Sequence, residues 1–159
     1  MKTLVAFYSL DGYTEFVANI VAEKLGADIL KLKTVKPFPT EAPAKFFKGG
    51  MSAVFKFKPK LANERIDLDS YDNIILGTPV WASTYSAPMN TLIRKYKFND
   101  KKVAIFLCSA GDDVEKCYAD FRKALKDNEI VGEIDFPESI KQDKSIEQKV
   151  SSWAESLNF

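Results

Sequence analysis

Short apolar runs alternate along the chain with segments whose apolar residues recur at helical spacing. Lys2 to Tyr8 is apolar almost throughout, which predicts a strand covered on both faces. The next segment repeats apolar residues from Phe16 to Leu25, and Gly26 predicts its C-terminal end. Four more strands are predicted at 28–33, 73–78, 103–108 and 130–136. Three more helices are predicted at 89–96, 114–125 and 146–157.

Strands that alternate with helices predict right-handed crossovers and a parallel sheet covered on both faces. The expected fold class is therefore α/β, a three-layer doubly wound five-stranded parallel sheet of order 2-1-3-4-5. We expect one domain over residues 1–159, with a long basic aromatic connection at about 34–66. In this order a crevice opens beyond the carboxyl ends of strands 1 and 3.

The long connection is unusual in composition. Residues 44–60 predict a helix broken at Gly49-Gly50, and the region 31–65 carries a net charge of +7 within a chain of +1. The remaining residues therefore carry −6. We expect the Phe residues to pack on the sheet while the Lys head groups stay in water, in preference to binding nucleic acid. A further hypothesis places Phe46, Phe47 and Lys48 at the rim of the crevice.

The loop after the first strand carries the clearest chemical signal. Hydroxyl residues and one Gly lead into a helix whose first N–H groups have no intrahelical partner, which is typical of an anion site. We predict a phosphate site held by neutral donors, although an ordinary capped turn is the alternative. Asp11 is predicted to turn away from the anion and cap the helix. The loop is Ser9, Leu10, Asp11, Gly12, Tyr13 and Thr14.

Two further loops are expected at the same crevice. The second places Trp81 and Tyr85 where an aromatic plane can cover a flat heterocycle. The third consists of small residues that let the backbone approach a ligand, and Asp112 or Asp113 is predicted to cap the following helix. The candidate ligand residues of these loops are Thr78, Pro79, Val80, Trp81, Ala82, Tyr85, Ser109, Ala110, Gly111 and Asp112.

Several classes of function are disfavoured by missing residues. The chain has no His, which excludes Ser-His and Cys-His nucleophile pairs and favours an organic cofactor. Cys108 and Cys117 match no metal or redox spacing, which suits a reducing compartment. A receiver domain would need a carboxylate pair after strand 1, where only Asp11 stands. With neither a signal peptide nor a membrane span in the sequence, we expect a cytoplasmic protein.

The three loops together resemble the flavodoxin family. Ser9 to Thr14 is similar to its phosphate pattern [ST]-x-T-G-x-T, Gly77 to Trp81 to its aromatic second loop, and Ser109 to Gly111 to its third. The resemblance implies non-covalent FMN with its phosphate on the first loop and its ring between the other two. Asp112 is the leading candidate for negative charge near that ring. The chain has Ala82 and Ser83 where many flavodoxins have Gly.

The resemblance also implies a function. We expect an electron carrier that serves redox partner proteins, a reductase and an acceptor, as a monomer or weak dimer without nucleic-acid or membrane partners. The alternative is an NAD(P)H-dependent FMN oxidoreductase acting on quinones or similar acceptors, so the sequence leaves open whether the protein is an enzyme. A basic partner would have to dock on the acidic part of the chain.

Overall fold

The computed structural model describes residues 1–138 and 144–159 as strands and helices in alternation. The strands are β1 (Thr3–Phe7), β2 (Asp28–Lys31), β3 (Asn73–Trp81), β4 (Thr84–Tyr85), β5 (Lys102–Ser109) and β6 (Glu129–Pro137). The helices are α1 (Tyr13–Leu25), α2 (Ala44–Val54), α3 (Ala87–Lys95), α4 (Val114–Ala124) and α5 (Lys144–Ser156).

Five of the strands form a parallel sheet in the order β2-β1-β3-β5-β6. This is the predicted order 2-1-3-4-5 once the two-residue strand β4 is set aside, so the predicted fold class is confirmed. β4 pairs antiparallel with the end of β3, which runs to Trp81 instead of ending at Thr78 as predicted. The extension carries the aromatic second loop on a hairpin.

The sheet is covered on both faces because successive strand residues point to opposite sides. In β1, Leu4 and Ala6 join one buried cluster, and Val5 and Phe7 join the other. The first cluster includes apolar residues of α3 and α4, and the second those of α1 and α5. Each cluster contains residues of β1, β3 and β5, so the strands are packed from both sides. This packing holds the carboxyl ends of the strands in place.

Helix α2 differs from its prediction in two respects. It continues through Gly49-Gly50 without a break. Its Phe residues also do not pack on the sheet as expected, since the side chain of Phe47 is 68% exposed and those of Phe55 and Phe57 just beyond the helix are 62% and 53% exposed. The side chain of Phe46 lies outside the described part of the structure. Among the described residues, no helix is long and apolar enough to cross a membrane.

Candidate functional site

A crevice lies at the carboxyl ends of β1 and β3, where the crossovers leave the sheet in opposite directions. A cavity of about 120 Å³ lies within it, and an open depression of about 700 Å³ adjoins it. The two share Asp11, Tyr13, Lys45, Ala110 and Glu138, so they form one continuous crevice. The predicted residues that line it are Ser9, Leu10, Asp11, Tyr13, Thr14, Pro79, Val80, Trp81, Ala82, Ser109, Ala110, Gly111 and Asp112.

The first loop presents backbone donors at the start of α1. Gly12 occupies the N-cap position with φ +95°, a left-handed conformation that Gly adopts readily. No side chain caps the helix at this position, and the Phe16 amide donates to the Gly12 carbonyl. The amides of residues 13–15 therefore precede the helical hydrogen bonds and face the crevice end of the helix, as an anion site requires.

Ser9 and Thr14 flank these amides. The Ser9 hydroxyl oxygen accepts a hydrogen bond from the Gly12 amide at 3.1 Å, which leaves its proton for another acceptor. Thr14 is buried, and its hydroxyl hydrogen-bonds the Cys108 thiol. Burial raises the pKa of Cys108 to about 12, although the Thr14 hydrogen bond opposes that shift. The first loop thus combines backbone amides with hydroxyl groups.

Asp11 does not cap α1, contrary to the prediction. Its carboxylate instead pairs with Lys45 of α2, with 2.5 Å between Nζ and Oδ2. Both side chains are only about a quarter to a third exposed, at 25% and 30%. A cation from the basic connection therefore stands beside the proposed phosphate site, which the sequence predicted to contain neutral donors alone.

Trp81 forms the aromatic wall of the crevice. Its ring lies 5.6 Å from that of Tyr8 and 5.1 Å from that of Phe38, measured between centroids. On α2, a Cβ added to Gly49 would lie 3.4 Å from Trp81 Cδ2, so the helix backbone packs directly on the indole. Trp81 is therefore in contact with three other segments of the chain.

The hairpin that carries Trp81 turns through Ala82 and Ser83, which have φ angles of +50° and +62°. Two consecutive left-handed residues are typical of a type I′ hairpin turn, which favours Gly or Asn at these positions. The Ser83 hydroxyl accepts a hydrogen bond from the Asp113 amide at 3.4 Å, linking the second loop to the third. Asp113 caps α4 by accepting from the Lys116 amide at 3.2 Å, so one of the two predicted caps is confirmed.

Three predicted residues take other positions. Tyr85 is buried with its ring 4.7 Å from that of Phe121, because β4 turns it towards α4 and away from the crevice. Thr78 is fully buried, and its hydroxyl bonds Ser86 at 2.9 Å between the two oxygens. Gly12 contributes its backbone conformation at the N-cap and does not line the cavity.

Five residues that sequence analysis did not assign also line the crevice. Lys45, Gly49 and Gly50 belong to α2, Pro137 ends β6, and Glu138 follows it. The length of the connection and its Gly49-Gly50 pair suggested that this segment reaches the rim. The hypothesis, however, named Phe46, Phe47 and Lys48 as the rim residues. The Phe47 side chain is exposed to solvent and does not line the crevice. No local signal identified Glu138.

Acidic groups surround this crevice. Burial raises the pKa of Glu138, the charges of Asp11 and Asp112 raise it further, and Lys45 lowers it. Burial raises the pKa of Tyr8 to about 12, and Asp11 adds to that shift. In the described part of the chain, no group of His, Cys, Asp and Glu residues could hold a metal ion.

An α/β sheet with an anion site, an aromatic wall and a loop of small residues at its switch point defines a nucleotide-binding class of protein. The chain belongs to the flavodoxin family, whose model matches residues 2–157. No curated protein matches it by sequence.

Solved structures show the same fold. A flavoprotein from Bacteroides uniformis has 22% identity, covers 97% of each chain and gives a TM-score of 0.80. A flavoprotein from Lactobacillus acidophilus, solved in complex with FMN, has 22% identity, covers 96% of this chain and 98% of that chain, and gives 0.75. Oxidised flavodoxin 2 from Bacillus cereus has 22% identity, with 98% and 97% coverage and a TM-score of 0.62.

Proposed function

We propose that this protein transfers electrons through FMN bound non-covalently in the crevice between α1, α2 and the Trp81 hairpin. The observation that carries the proposal is the meeting of three different surfaces at one sheet edge. They are the amides at the start of α1, the indole of Trp81, and the small residues 109–111. The amides can bind a phosphate, and the indole can cover a flat ring. The small residues let backbone groups reach the polar edge of that ring.

The phosphate would bind at the start of α1, where the Ser9 hydroxyl and the amides of residues 13–15 donate hydrogen bonds. Lys45 stands beside this position and neutralises Asp11, which would otherwise repel a phosphate dianion. The donor set therefore fits FMN. It also gives the basic connection a role in binding.

FMN supplies the redox chemistry when bound, and the protein adjusts it by burial and charge. Asp112 and Glu138 place negative charge at the crevice, which opposes the addition of electrons to a ligand there. Trp81 and α2 shield the crevice from water on one side. These groups should lower the reduction potential of the flavin.

The protein purified with FMN should be yellow and contain one FMN per chain. As an electron carrier, it should be reduced only slowly by NADH or NADPH under anaerobic conditions, and rapidly once a flavodoxin reductase is added. A colourless protein that fails to take up added FMN would overturn the proposal. Rapid bleaching by NAD(P)H alone would instead identify an NAD(P)H-dependent oxidoreductase.

A further inference from the structure

The segment after the start of α2 exposes a group of large apolar side chains. We call this group the α2 apolar patch: it consists of Phe47, Met51, Val54, Phe55 and Phe57, whose exposed fractions are 68%, 38%, 60%, 62% and 53%. The first three recur at helical spacing and so share one side of α2. Contiguous exposed apolar surface of this kind marks an interaction site more often than scattered single residues do.

The end of the patch is a turn held firmly by the body of the protein. Lys56 has φ +51°, and the Phe55 and Phe57 rings stack with 5.9 Å between centroids and 23° between planes. The buried Asn90 side chain donates to the carbonyls of Lys56 and Phe57 at 2.9 and 3.1 Å. Thus α3 fixes the turn in a conformation that leaves both rings in solvent.

Positive charge surrounds the patch. Residues 42–63 contain five lysines and no acidic residue. Lys45 pairs with Asp11 on the crevice side, whereas Lys48, Lys58 and Lys60 are exposed. The rest of the molecule outside 31–65 carries −6, so an anionic surface would attract this side and repel the remainder. Charge alone therefore orients the protein with α2 towards such a surface.

Contrary to the expectation of no membrane partner stated for the sequence, we propose that the α2 apolar patch docks the protein on an anionic phospholipid membrane. Apolar and cationic side chains alternate from Phe55 to Lys58. The boundary between the acyl chains and the phosphates of a membrane can bind both kinds of side chain at the same depth. Rings enter the acyl boundary while ammonium groups stay at the phosphates. A protein partner would need a pocket that matches two stacked rings as well as negative charge.

Membrane docking would have a consequence for the crevice. Lys45, Gly49 and Gly50 line the crevice from α2, the same helix that carries the patch. Lys45 and Gly49 face the crevice while Phe47, Met51 and Val54 face solvent, so docking through the patch would place α2 between the crevice and the lipid surface. The docking itself goes beyond the proposed function and does not depend on bound FMN.

Co-sedimentation of the full chain with vesicles tests the proposal. Vesicles of phosphatidylcholine alone are compared with vesicles that contain phosphatidylglycerol and phosphatidylcholine in a ratio of roughly 3:7. The wild type should bind the anionic vesicles at least about tenfold more strongly, and salt should weaken the binding. Phe55→Ser/Phe57→Ser and, separately, Lys48→Gln/Lys58→Gln/Lys60→Gln should each lower it by about tenfold or more.

Matched controls separate docking from general effects. Ile29→Ser removes an apolar side chain that is 48% exposed on the edge strand β2 and should leave binding unchanged. Lys97→Gln/Lys123→Gln/Lys126→Gln removes the same number of charges from exposed positions outside this segment and should lower binding less than the patch variant. Equal losses in the control and patch variants would overturn the proposal. Absence of vesicle binding by the wild type would also overturn it and leave the patch to an acidic protein partner.

Discussion

Helices α1 and α2 both border the crevice, but they are held there in different ways. α1 buries Thr14, Val17 and Val21 against the sheet. α2 leaves Phe47 and much of its apolar surface in solvent and contacts the crevice through its Gly and Lys residues. The position of α1 follows from the sheet, whereas that of α2 depends on the loops of the site. One helix is therefore part of the scaffold, and the other is a cover over the crevice.

The largest loss of stability should come from a substitution in the scaffold, at Gly77 of β3. A Cβ there would lie 2.0 Å from Phe106 Cζ, within a ring that is fully buried. Gly77→Ala should therefore lower the free energy of unfolding by about 3 kcal/mol, measured by urea denaturation. Gly132→Ala is the control, because its Cβ would clash with the movable end of the Leu157 side chain, at 2.4 Å, and would meet Trp153 Nε1 at an ordinary 3.5 Å. Equal losses in the two variants would contradict the account.

A matched pair of Val substitutions compares the two helices directly. Val21 on α1 is fully buried, and Val54 on α2 is 60% exposed. Val21→Ala should lower the free energy of unfolding by about 2 kcal/mol through lost burial, and Val54→Ala should change it by less than about 0.5 kcal/mol. Urea denaturation of both variants checks this, and comparable effects would show that α2 is packed as firmly as α1.

Lys45 tests whether α2 takes part in binding. Lys45→Met should weaken FMN binding by about tenfold, or about 1.4 kcal/mol, because Asp11 would then repel the phosphate. Riboflavin lacks the phosphate, so its affinity should stay nearly constant. Flavin fluorescence titrations measure both. Lys48→Met is the control on the same helix, and it should leave FMN affinity unchanged.

The double variant Asp11→Asn/Lys45→Met refines this test. With both charges removed, most of the lost FMN affinity should return, because the repulsion of the unpaired carboxylate disappears. If the double variant bound FMN as weakly as Lys45→Met, Asp11 would not be the cause of the loss. That outcome would place the effect of Lys45 elsewhere in the crevice.

The smallest predicted effect concerns Glu138, whose carboxyl group is influenced by the charges of Asp11, Lys45 and Asp112. Its raised pKa means that the folded state holds a proton more firmly than the unfolded state. Stability should therefore fall as pH rises from the ordinary pKa of 4.5 through the raised value, by less than about 1 kcal/mol. Glu138→Gln should remove this dependence in urea denaturations at several pH values. An unchanged pH profile in the variant would contradict the assignment.

The sequence was sufficient where one physical rule determined the result. β1 is apolar from Leu4 to Phe7 because both of its faces are covered, and Gly12 lies at the helix start as the turn requires. The strand order and the convergence of the three loops followed from these features. The position of Tyr85 did not, because the β3–β4 hairpin determines which way the ring points.

The contribution of α2 was beyond local sequence rules. Gly49-Gly50 predicts a break in an isolated helix, but α2 continues through both residues and lies against the Trp81 indole at Gly49. The Asp11–Lys45 pair joins residues far apart in sequence, and helix capping offered Asp11 an equally plausible local role. The exposure of Phe55 and Phe57 likewise depends on hydrogen bonds from Asn90.

The central claim is that the crevice binds FMN through its phosphate and its ring together. Calorimetric titration of the flavin-free protein with FMN and with riboflavin tests it most directly. The account predicts one FMN per chain, bound at least about tenfold more tightly than riboflavin, because only FMN has a phosphate to accept hydrogen bonds from the Ser9 hydroxyl and the amides of α1. Equal affinity for the two flavins, or no binding of either, would contradict it.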